Sequence, residues 1–156
     1  MDQPTYYIET IGCQMNERDA ETIAGILDGL GLYPVLAPAD ARVIVVNTCS
    51  VRRKPEEKTY SRLGEWRLLK EADPKRIIAI CGCTPQVSTQ EVLDHAPFAD
   101  IVMGPRGLGH FREAVVDCLE GTADGMQVFV DSAEHLPEAL PARRSAAISA
   151  YVNITY

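Results

Sequence analysis

Short uninterrupted apolar runs, which suit buried strands, alternate along this chain with longer stretches whose apolar positions recur every three or four residues, which suit helices. Tyr6 to Ile11 reads as a strand, and Asn16 then opens a helix over Glu17 to Leu30, where Ala20, Ile23, Ala24, Leu27 and Leu30 share one face. Gly29 and Gly31 end that helix, Leu32 to Leu36 reads as an edge strand, and Val43 to Val46 as a fully buried one. Pro55 suits a first helical turn, and Glu56 to Glu71 continues it with Tyr60, Leu63 and Trp66 on one side, until Asp73-Pro74 stops it. Ile77 to Ile80 is the next buried strand, Thr89 to His95 a short helix, Ile101 to Met103 a further strand, and Leu108 to Glu120 a helix with Phe111, Val115, Val116 and Leu119 facing inward.

Strands alternating with helices through short connections imply an α/β fold. The expected form is an open, mostly parallel sheet with helices on both faces, of Rossmann or flavodoxin-like type. Gly121 closes that unit, so residues 1–121 form the expected domain. The mixed Gly-, Pro- and Ala-containing text over 122–145, with one short strand at Val128 to Val130, reads as a linker. The alternating residues of 146–156, ending inside an apolar stretch at Tyr156, read as the first strand of a further domain that the chain does not contain.

Composition adds bounds. With 156 residues, 46% of them hydrophobic and 24% charged, one globular core is expected. No run reaches the length of a membrane span, and Met1-Asp2-Gln3-Pro4 lacks the character of a signal peptide, so the expected location is the cytoplasm, with no membrane partner. The net charge of −7 argues against this segment being the main anchor on a nucleic acid. The sum conceals a local exception between Arg52 and Lys70, where seven basic residues face three acids for a balance of +4, leaving −11 elsewhere. A charge run of this kind is usually a solvated helix face, but Arg52, Arg53 and Lys54 directly follow a cysteine loop and are candidates for phosphate contact.

Three cysteines carry the chemistry. Cys13 in Gly-Cys-Gln-Met-Asn, Cys49 in Asn-Thr-Cys-Ser-Val-Arg and Cys83 in Gly-Cys-Thr-Pro-Gln each follow a strand and precede a helix, with Cys49 lying 36 residues after Cys13 and Cys83 34 after Cys49. Each separation matches one strand-helix unit, so a parallel sheet brings all three to the edge where its strands end, which is where open α/β sheets bind ligands. A single cysteine at a strand end reads most simply as a small buried hydrophobe, but three at equivalent positions read as a site. Five cysteines without secretory context favour metal or redox work over a disulfide framework. Placement before helix N-termini is expected to lower the thiol pKa values and favour thiolates, and three thiolates suit an iron-sulfur cluster of four irons with one iron left open. Structural zinc is the rival metal, although His95, His110 and His135 show no ligand spacing relative to the loops. A non-catalytic flavodoxin-like binding module and a thiol redox protein are competing functional classes. Cys81, inside a strand, and Cys118, in an apolar helix run, read as packing. Asn16 and Asn47 flank the thiols as turn or cap residues, with a role toward substrate as a second reading.

The wording Gly12-Cys13-Gln14-Met15-Asn16-Glu17, Asn47-Thr48-Cys49-Ser50-Val51-Arg52 and Gly82-Cys83 with Gln86 closely resembles the amino-terminal domain of the radical-SAM methylthiotransferases, in order over about the first 120 residues. The Gln-Met-Asn and Thr-Cys-Ser-Val-Arg runs and Lys58-Thr59-Tyr60-Ser61-Arg62-Leu63-Gly64 look like its tRNA-modifying branch. The resemblance implies that Cys13, Cys49 and Cys83 hold an auxiliary 4Fe-4S cluster, whose open iron carries the sulfur group inserted into dimethylallyladenosine beside the anticodon. It also implies a second 4Fe-4S cluster and S-adenosylmethionine in a radical-SAM domain outside this chain, with tRNA, an electron donor and a sulfur source as partners. On that reading the chain alone does not turn over. The third loop departs from the family in having Thr84-Pro85, which leaves all three thiols in place.

Overall fold

The computed structural model describes residues 3–50, 53–130 and 140–143, with the backbone alone at 53–56. Among the described residues six strands form one sheet: β1 (Thr5–Ile11), β2 (Tyr33–Pro34), β3 (Val43–Thr48), β4 (Ile77–Gly82), β5 (Ile101–Met103) and β6 (Gln127–Phe129). Their order is β2-β1-β3-β4-β5-β6 and every pairing is parallel, the expected architecture in its flavodoxin-like order with a sixth strand added. The sheet thus extends into the stretch that reads as a linker, and β6 falls one residue earlier than the pattern suggests. Residues 140–143 return to the first helix, where the Arg143 N–H donates to the Glu21 carbonyl at 2.8 Å. The strand read over 146–156 lies outside the described residues.

Strand alternation divides the core into two layers. Tyr6, Val43, Val45, Ile77, Ala79, Cys81, Ile101 and Met103 face helices α1 (Gln14–Gly29) and α5 (Phe111–Glu120), which bury Ile23, Ile26, Leu27, Phe111, Ala114 and Val115 against them. On the other side Ile11, Ile44, Val46, Ile78, Ile80 and Val102 meet α2 (Arg53–Ala72), through Leu63 and Trp66, and α4 (Thr89–His95), through Val92. Both central strands are buried at every position, which is why they read as continuous apolar runs. Among the described residues no helix is long and apolar enough to cross a membrane.

Two details move the ends of the sheet from where the sequence puts them. Helix α1 begins at Gln14, with Cys13 as its N-cap, because the Asn16 side chain turns back on the helix end in place of preceding it. Cys83 opens a further helical turn, α3 (Cys83–Val87), straight from β4. The joint is Gly82, whose φ of 106° and ψ of −163° lie in a region only glycine adopts freely. A side chain there would run into the Thr48 carbonyl oxygen and come within 2.7 Å of its nitrogen.

Gly82→Ala is therefore expected to cost more than about 3 kcal/mol in urea unfolding, against about 1 kcal/mol for Gly31→Ala. The latter also has positive φ but nothing within 4 Å, so equal costs for the two would show that backbone crowding at Gly82 is not decisive.

Candidate functional site

The strand order reverses between β1 and β3, since the chain leaves β1 toward β2 on one side and later proceeds from β3 toward β4 on the other. At such a reversal the connections diverge and leave a crevice beyond the strand ends. The register aligns Ile11 with Thr48 and Thr48 with Gly82, so three adjacent strands finish level. Cys49 and Cys83 each lie one residue past that line, and Cys13 two. Adjacent strands run about 4.8 Å apart, so the three chains reach the edge within about 10 Å of one another.

The loops are drawn together further by an exchange of hydrogen bonds between two buried amides. Asn16 Nδ2 donates to Asn47 Oδ1 at 3.1 Å and to the Thr48 carbonyl at 2.7 Å, while Asn47 Nδ2 donates to the Asn16 carbonyl at 2.5 Å. Asn16 Oδ1 accepts from the Cys13 N–H at 3.2 Å and from its Sγ at 3.3 Å. One side chain thus caps the first thiol loop and grips the second. The two glycines before cysteines make this approach feasible: a Cβ on Gly12 would sit 2.6 Å from Cys49 Cβ, and one on Gly82 2.9 Å from Asn47 Oδ1.

Cys13 is exposed, Cys83 intermediate and Cys49 buried. The expectation of lowered thiol pKa values is corrected at Cys83. Its pKa is raised, first by burial and then by the neighbouring Cys49, Asp19 and Cys13, because a five-residue helix offers little dipole against desolvation and like charge. Cys83 therefore lies within electrostatic reach of Cys49, Asp19 and Cys13. A metal that neutralises the thiolates removes that penalty.

Cys81 is packed in the α1 side of the core, with burial pushing its thiol far up, as the alternation reading requires. Cys118 packs at the edge of the same layer and meets Gln127 at 3.5 Å. His95 stacks on Tyr60 at 4.3 Å and His110 on Phe129 at 5.1 Å, while His135 lies outside the described residues. Among the described residues no group of three or more His, Cys, Asp or Glu is arranged to hold a single metal ion. One zinc ion would draw its ligands to about 2.3 Å from a common point, whereas a cluster of several irons takes each thiolate on a different corner. The donor set of three thiols, one on each of three strand ends along a sheet edge, suits the second arrangement better than the first.

The basic run is divided by its partners. Arg62 pairs with Glu9 at 3.0 Å and Glu65 at 2.8 Å, Arg67 with Glu71 at 2.8 Å, and Lys70 with Asp100 at 2.5 Å, so this end of α2 is engaged in holding the fold. Arg53 and Lys54 stand in the helical turn nearest the Cys49 loop, Lys58 is exposed one turn on, and Arg52 lies outside the described residues. A cavity of about 620 Å³ occurs at the opposite end of the sheet, beside Arg42, Arg76 and Asp100, away from the thiols.

Asp19 escapes a sequence reading that starts the helix at Glu17. Once Asn16 is placed inside α1, Asn16, Asp19 and Ile23 fall at helical spacing on the buried face, and a carboxylate in that row is the signal. Burial raises its pKa from 3.8 to about 6, with the Arg18 charge offsetting only part of the effect. Thr84 is another group the sequence leaves unmarked: its Oγ1 is buried with no hydrogen-bond partner among the described residues.

Fold and site together define a flavodoxin-like α/β domain that presents three cysteines at its topological switch point. The chain belongs to the family described as "Uncharacterized protein family UPF0004", whose model matches residues 5–104. It is homologous to proteins named tRNA-2-methylthio-N(6)-dimethylallyladenosine synthase. The relative from Sulfurihydrogenibium sp. (strain YO3AOP1) is 39% identical over 150 residues, covering 96% of this chain and 34% of the relative. That from Thermotoga petrophila is 39% identical over 151 residues, covering 97% and 33%, and that from Syntrophotalea carbinolica 37% identical over 151 residues, covering 96% and 34%. The chain thus spans about a third of the length of the curated relatives it matches.

Two stability effects follow. Asn47→Ala is expected to cost about 2 kcal/mol in urea unfolding, because it removes two buried hydrogen bonds and leaves one of the two Asn16 Nδ2 hydrogens without a partner; a loss below about 1 kcal/mol would mean that water replaces the exchange. The Asp19 carboxyl binds its proton more tightly folded than unfolded, so stability is greatest while it is protonated. It declines as pH rises from about 4 to about 6, by about 3 kcal/mol, and then levels off. Asp19→Asn is expected to flatten that slope and to exceed the wild type by about 2 kcal/mol at neutral pH, as read from unfolding midpoints across the range.

Proposed function

We propose that this chain is the amino-terminal, cluster-binding domain of a tRNA methylthiotransferase that modifies dimethylallyladenosine beside the anticodon. The observation that carries the reading is the level ending of β1, β3 and β4, which sets Cys13, Cys49 and Cys83 along one edge with Gly12 packed against Cys49. The names of the homologous proteins supply the reaction class.

In this reading Cys13, Cys49 and Cys83 hold an auxiliary 4Fe-4S cluster. When bound, such a cluster supplies an iron without a protein ligand, on which a sulfur group can be carried. This chain's own residues prepare the place. Asn16 and Asn47 fix the first two loops in one geometry, and Gly12 and Gly82 let the neighbouring loops pack closely against them. Exposure of Cys13 leaves the edge approachable from outside. Arg53, Lys54 and Lys58, beside the Cys49 loop, suit phosphate contact with the anticodon stem-loop, although the acidic remainder assigns most of the tRNA affinity to the rest of the full protein. A second 4Fe-4S cluster, S-adenosylmethionine, the electron donor and the sulfur source belong to that full protein, which works in the cytoplasm. This chain by itself does not complete the reaction.

Anaerobic reconstitution with iron and sulfide tests the reading. The chain is expected to bind about four irons and four acid-labile sulfides, turning brown, and Cys49→Ala to lose most of both. Uptake of about one zinc and no iron would sink the cluster assignment in favour of a structural metal.

A further inference from the structure

Asp19 is the buried charge for which the fold has no use. It lies one turn along α1 from Asn16, on the same inward face, and is only 7% exposed. Among the described residues no donor reaches its carboxyl, and the one opposing charge acting on it is Arg18. Asn16, one turn earlier on that face, holds the Cys13 Sγ, and the face packs on the core layer that contains Cys81, so Asp19 stands on the α1 side of the sheet within two helical turns of the first thiol. A carboxylate so little exposed costs stability, and such local conflicts collect where a site makes use of them. Asp28 on the same helix makes the contrast, since it accepts from Tyr6 Oη at 2.8 Å and pairs with Arg143 at 3.3 Å.

We propose that Asp19 is a positioning residue that sets the electrostatic potential of the three-thiol site, holding a negative charge beneath whatever metal group Cys13, Cys49 and Cys83 bind and thereby favouring its oxidised form. The inference rests on the cluster reading of those cysteines. Its physics is that a carboxylate in a poorly solvated interior acts over several ångströms with little screening, and that net charge and burial set the potential of iron-sulfur groups. Glu17, exposed in the first turn of the same helix, is surrounded by water and has no comparable reach.

The test compares the reconstituted wild-type chain with Asp19→Asn, Asp19→Glu and Glu17→Gln at about pH 8, where the carboxyl is ionised. At a fixed applied potential, Asp19→Asn is expected to raise the ratio of reduced to oxidised cluster about tenfold, which is about 59 mV for a one-electron couple. Asp19→Glu and Glu17→Gln are expected to stay within about twofold of wild type. In the metal-free chain, Asp19→Asn is expected to speed alkylation of Cys83 about fivefold, resolved by mass spectrometry, with no change for Glu17→Gln. Normal iron content with an unchanged ratio in Asp19→Asn overturns the proposal, as does an unchanged alkylation rate. A wild-type chain that binds no iron overturns the cluster reading itself, and the alkylation comparison then decides alone whether Asp19 acts on the thiols.

Discussion

The exchange between Asn16 and Asn47 is the constraint around which the edge of this sheet is organised. Asn47 is the fifth residue of β3, in the interior of the protein, and Asn16 lies one turn inside α1, so neither amide has water to fall back on. Each satisfies the other, and the bond from Asn16 to the Thr48 carbonyl leaves a single relative placement for the first two loops. Gly82 then has to be glycine, because the space its side chain would fill is already occupied by Thr48 and by Asn47 Oδ1. Three segments far apart in sequence are locked to one another by polar contacts before any metal or ligand enters, which is the preorganisation a site needs.

The same edge shows how charge is apportioned. The chain is acidic overall, and much of the local excess of cations on α2 is spent on ion pairs with Glu9, Glu65, Glu71 and Asp100. Those pairs are partly exposed and individually weak, but Arg62 and Lys70 tie the helix to β1 and to the start of β5, and so fix its direction. The cations toward the far end of α2 are thus engaged in holding the fold.

Most of the architecture was legible because the governing signal was local. Val43 to Val46 and Ile77 to Ile80 are apolar without interruption, and a strand covered on both faces has no other way to be written. The convergence of the cysteines was legible from topology, since equivalent positions in successive strand-helix units share an edge. What escaped depended on contacts between segments. Asn16 looked like a cap because its residue type favours caps; its side chain does serve the helix end, but from inside the first turn, reaching back to Cys13 while also gripping β3. Placing it outside the helix hid the row that continues to Asp19. The pKa of Cys83 was misjudged for a related reason: the benefit of a helix end is visible in sequence, whereas burial and two neighbouring thiols are not.

The edge is asymmetric in a way that bears on its use. Beneath it lie fully buried amides, tight glycines and a carboxylate, all on elements that cannot shift without breaking the core. Above it Cys13 is exposed, and two large apolar side chains, Met15 at 52% and Val87 at 70% exposure, stand one on each outer thiol loop. A structural metal site closes its ligands around the ion and leaves nothing to exchange. Here the rigid half lies below and the accessible half above, so a group held by these thiols would be fixed by its protein ligands while its outer side stays open to a reactant. The α/β sheet supplies that asymmetry through the level ends of three parallel strands.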